Sequence, residues 1–202
     1  MENIKIPDGL PSLAAGNHNP GDGKACVMEY VALLNGEEWT DTPGCTNPLL
    51  AAVAQAVNDH ISDADRDAAL VPLIGRLFGT GVVSEAIDNA MLDAIEPLVS
   101  YGCVRSLKTG LAGGRAAGNG KHDRALLVSI ARGAILDETR REPVRDPLYG
   151  FYAPQYDTVR GLGILTAMLD AYDRVTGRTA RDVTPAEFAD LSERVLQMAN
   201  TK

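Results

Sequence analysis

His18, Asp22, Cys26 and Glu29 fall within twelve residues of one another, and Asp41 and Cys45 follow. A thiol in the first turn of a helix has its thiolate favoured by the positive end of the helix dipole. His18, eight residues before Cys26, reaches that thiol if the intervening loop folds back. The same set suits zinc: His18, Cys26 and Cys45 are candidate ligands, with His60 or Asp41 as a fourth. The spacing is not that of a known zinc module, because the chain has no C-x-x-C and no H-x-x-x-H. The plainer alternative makes Cys26 a small core residue and His18 a loop residue.

Two glycine-lysine loops, Gly21-Asp22-Gly23-Lys24 and Gly118-Asn119-Gly120-Lys121, raise a second chemistry. Glycines let backbone N–H groups converge on a phosphate, and a lysine adds charge. The Walker pattern requires a glycine where His18 and Arg115 stand, and a serine or threonine where Ala25 and His122 stand. Both loops fail twice, so nucleotide hydrolysis through a P-loop is excluded. What is left is an anion site around Arg115, Lys121, His122 and Arg124, or a plain flexible entry to a helix. A third candidate is the aromatic run Tyr149, Phe151, Tyr152 and Tyr156, with Arg145 and Arg160 nearby. Amphipathic rings on a proline-bounded loop suit a protein or ligand contact, or stacking on bases. They equally suit a loop pinned to the helices by its own side chains.

No Gly-x-Ser-x-Gly and no His-Glu-x-x-His is present, which points away from an enzyme. Charge is unevenly spread. Residues 1–104 carry 4 basic and 15 acidic side chains, while residues 105–145 carry 9 basic and 4 acidic. The basic stretch either folds against the acidic first half or binds a phosphate-bearing ligand or nucleic acid. Three irregularly spaced cysteines argue against a disulfide framework. With no basic leader before an apolar run and no apolar stretch of membrane length, a cytoplasmic protein without a membrane span is expected.

Helices must position these groups. Aromatics are only 5% of the chain, so Ala, Val, Leu and Ile make the core, and Ala and Leu favour helix. The first 23 residues, with three prolines and four glycines, read as an extended arm. A helix over 24–34 follows, capped by Asp22 and stopped at Asn35-Gly36. Asn47-Pro48 opens a second. Ser62, with Asp65 three residues on, opens a third that Pro72 kinks or splits. A fourth spans 83–99, with Pro97 distorting its end, and a fifth spans 121–140. The sixth spans 158–175. Thr184-Pro185-Ala186-Glu187, a capping box with proline at the first helical position, starts the last. No segment alternates with period two. The expectation is therefore all-α: about seven helices in one domain, with the glycine-rich stretch 110–120 as a loop or a hinge between two lobes.

Gly23-Lys24-Ala25-Cys26-Val27-Met28-Glu29, Gly36-Glu37, Thr40-Asp41-Thr42-Pro43-Gly44-Cys45 and Asn58-Asp59 stand together in the first half, and Pro72 and Phe78-Gly79-Thr80 extend the set. On these residues the region 18–80 resembles a family of proteins of actinobacteria and their bacteriophages that has no assigned activity. The resemblance implies an actinobacterial or phage origin, transfers no catalytic residue, and draws interest to Cys26 and Cys45. A non-enzymatic protein that docks on a host protein or on itself is the leading expectation. A binder of phosphate-bearing ligands and a metal- or thiol-dependent enzyme at Cys26 are the alternatives.

Overall fold

In the computed structural model, residues 6–99, 104–109, 158–179 and 182–199 are described. Within them the chain is mostly helical: α1 Val27–Leu34, α2 Pro48–His60, α3 Asp63–Leu70, α4 Ile74–Leu77, α5 Glu85–Ile95, α6 Thr158–Thr176 and α7 Pro185–Ala199. A further helical stretch at 104–109, unforeseen from the sequence, buries Val104 and Leu107. The expected fifth helix and the 110–120 hinge lie outside the described residues. No described helix is long and apolar enough to cross a membrane.

The N-terminal arm is extended, as its prolines and glycines imply, but it also makes a short sheet. β1 (Ser12–Leu13) pairs in parallel with β2 (Lys24–Ala25), Ser12 opposite Lys24 and Leu13 opposite Ala25. This pairing moves the start of α1. Lys24 and Ala25 are held extended, so the helix begins at Val27 with Cys26 as its N-cap. Asp22 is not the cap; its carboxylate accepts from the Asn19 N–H and closes a turn inside the arm. The end of α1 follows the sequence signal. Gly36 adopts φ +74°, and the N–H groups of Gly36 and Glu37 donate to Leu33 and Ala32. That is a Schellman closure, which satisfies two carbonyls the helix leaves open.

α1 and α2 sit at the centre. Only Leu33 of α1 is partly exposed, and α2 is buried continuously from Leu49 to Asn58. A helix buried on all sides needs cover on all sides. The two pack on each other, α6 packs on α2 and on α5, and α7 packs on α1 through a stacked Tyr30–Phe188 pair with centroids 6.1 Å apart. Each large apolar side chain fully withdrawn here stabilises the fold by about 1.5–3 kcal/mol.

The remaining helix ends mostly obey local chemistry. Asn47 caps α2 by accepting from the Leu49 and Leu50 N–H groups. Pro72, which has no N–H to give, falls in a single 3-10 turn (Val71–Leu73) that divides α3 from α4. Ser62 does precede α3, but its hydroxyl donates to the Asp65 carboxylate instead of capping backbone. α5 is shorter than its apolar period suggested: Ser84 caps it, and it stops at Ile95 before Pro97, leaving Leu98 exposed. Thr184 and Glu187 form the expected reciprocal capping box on α7.

Candidate functional site: the Glu29 clasp

Of the residues that opened the sequence reading, His18 and Cys26 meet at one buried carboxylate, that of Glu29. Glu29, in the first turn of α1, is 2% exposed. Its Oε1 accepts from the backbone N–H of His18 at 2.8 Å, and its Oε2 accepts from the backbone N–H of Cys26 at 2.7 Å. The His18 Nδ1 lies 3.2 Å from the same Oε2. Trp39 donates its indole N–H to the His18 carbonyl at 2.8 Å. The loop does fold back, and what receives it is Glu29.

The arm is fastened along its length by α2. Asn58 Oδ1 accepts from the Val27 N–H, and its Nδ2 donates to the Ala14 carbonyl. Asp59 accepts from the Gly16 N–H at 2.8 Å. Asn17 donates to the Asp41 carboxylate, and Gln55 donates to the Asp41 carbonyl. Arg66 is buried beneath the end of α2 and donates to the Asn58 and Ile61 carbonyls. A buried carboxylate is tolerable when its oxygens are hydrogen-bonded, and the His18 and Cys26 N–H groups supply that for Glu29.

Cys26 works as a cap. Its Sγ accepts from the Glu29 N–H at 3.4 Å while the Glu29 side chain bonds the Cys26 N–H, a reciprocal box with sulfur in the place usually held by a hydroxyl. The expectation that the helix dipole favours the thiolate is not met. Burial pushes the thiol up to about 12, and the Glu29 charge adds to this, outweighing the hydrogen bond from the Glu29 N–H. The sulfur is enclosed in the core, where burial favours the thiol over the thiolate.

Cys45 sits elsewhere. It is half-buried in the loop before α2, its N–H donating to Glu37, with its sulfur 3.7 Å from the Thr46 hydroxyl. Burial, and then Glu37, raise its pKa as well. Glu37 itself is pushed up by burial, but hydrogen bonds from Cys45, Asn35 and the Gly44 N–H outweigh that and hold it below its usual value. Gly81 passes so close that a Cβ there would lie 2.7 Å from the Gly44 carbonyl oxygen. Cys26 and Cys45 are both free of disulfide bonds.

The zinc candidates therefore divide: His18 and Cys26 meet through Glu29, and Cys45 belongs to Glu37. Among the described residues no three His, Cys, Asp or Glu side chains are arranged to hold a metal ion. His60 has its Nδ1 directed at the Ala56 carbonyl at 2.6 Å. The other sequence candidates, Arg115, Lys121, Arg124, Tyr149, Phe151, Tyr152 and Tyr156, lie outside the described residues. So does most of the basic stretch. Of its start, Lys108 pairs with Asp93 of α5 at 2.9 Å.

One polar cluster had no sequence signal. Arg76 of α4 donates to Asp170 and Asp173 of α6 at 2.7 and 3.0 Å. Arg178 lies 3.3 Å from the other Asp173 oxygen as an ion pair, and donates to the Arg76 and Phe78 carbonyls. Burial lowers the pKa of Arg76, and the two carboxylates more than offset it. No family model matches the chain, and neither the curated proteins nor the solved structures contain a match to it.

Proposed function

We propose that this protein acts by binding another protein, one that presents basic side chains, and not by thiol or metal chemistry. The setting is the actinobacterial or phage one that the resemblance implies. The observation that carries this reading is the sorting of charge by burial in residues 6–99. Arg66 and Arg76 are withdrawn into the core, which leaves Lys24 as the exposed basic residue of that stretch. Asp8, Asp22, Glu38, Asp65, Glu85 and Glu96 are exposed, while the exposed Asp63 and Asp93 already pair with Arg66 and Lys108. An excess of exposed carboxylates steers a partner of the other sign and raises its on-rate. The place of Cys26 supports the second half of the proposal, because its sulfur is buried and caps the start of α1, and burial disfavours its thiolate.

The test is affinity capture with the tagged full chain in actinobacterial extract at low ionic strength. The captured protein is then purified and titrated back at several salt concentrations. The reading predicts binding that weakens at least about tenfold between low and physiological salt, because exposed charges are screened beyond roughly 8–10 Å. It also predicts weaker binding by the doubly substituted Glu38→Lys, Glu96→Lys protein and unchanged binding by Cys26→Ser. Salt-independent binding, or binding abolished by Cys26→Ser in a folded protein, contradicts it.

A further inference from the structure

We draw no further inference here: the strongest candidate, the exposed valine patch formed by Val82 and Val83 in the loop before α5 with Val175 near the end of α6, carries nothing because nothing in the structure shows what covers it.

Discussion

Glu29 and Asp173 are both carboxylates taken out of water, yet the molecule accommodates them by different means. Glu29 accepts from two backbone N–H donors, one at its own helix start and one in the arm, eleven residues away or fewer, with the His18 Nδ1 3.2 Å from one oxygen. Asp173 is held by two arginines; Arg76 reaches it from 97 residues away in sequence. Fixed backbone dipoles ask little reorganisation and tie the carboxylate to one local conformation. Paired side chains must each be desolvated and ordered, so the second arrangement joins distant helices with a smaller net gain. The first makes an arm adhere, and the second sets how α4 meets α6.

The largest effect should come from breaking the first arrangement. Glu29→Ala leaves the buried Cys26 N–H and the part-buried His18 N–H without their acceptor. The loss should be about 3–5 kcal/mol of stability, read as a lowered urea midpoint. Limited proteolysis should then cut within the arm, near Gly21 and Gly23, before the rest of the chain unfolds. Arg76→Ala strikes the second arrangement and should cost less, about 2–3 kcal/mol, the scale of hydrogen bonds to charged groups. Asp170 is half exposed and rehydrates, and Arg178 stays beside Asp173. If Arg76→Ala proves the more damaging, the contrast between backbone and side-chain support is wrong. Asn47→Ala removes a cap with two N–H partners and its bond to the Val82 carbonyl, and should lose about 1–2 kcal/mol in the same measurement.

The smallest effect is a pH dependence that belongs to the clasp side. Burial raises the folded-state pKa of both Cys26 and Tyr30, so the folded protein holds those protons more tightly than the unfolded chain does. Their contribution is complete below the ordinary thiol value of 9.0 and is lost as pH rises towards about 12. Urea midpoints should therefore fall between pH 9 and 11, and Cys26→Ala should flatten part of that decline. A midpoint that rises over this range would reverse the assigned sign.

Much of the helical frame was legible because its determinants are local. Asn47-Pro48, Pro72, Asn35-Gly36 and the Thr184–Glu187 box each act within one turn, and each acts as its chemistry requires. The start of α1 was misread because it depends on a non-local event, the pairing of Lys24–Ala25 with Ser12–Leu13. A trace of it was present: Cys26-x-x-Glu29 has the spacing of a capping box, concealed by a sulfur where serine or threonine is usual. His18, Cys26 and Glu29 were grouped in sequence, and the plainer alternative, Cys26 as a small core residue and His18 as a loop residue, is the one the structure bears out; the Glu29 carboxylate as the acceptor for both was not foreseen. Arg76 with Asp170 and Asp173 left no trace, because no periodicity links residues 94 and 97 positions apart.

The most direct measurement is the alkylation rate of Cys26 against pH, in a protein carrying Cys45→Ser and Cys103→Ser. With the thiol near 12, the folded protein at pH 8 should react at least about a hundredfold more slowly than the same protein in urea. A native rate equal to or above the unfolded one, with a thiolate appearing near neutral pH, would make Cys26 a reactive centre and contradict the account.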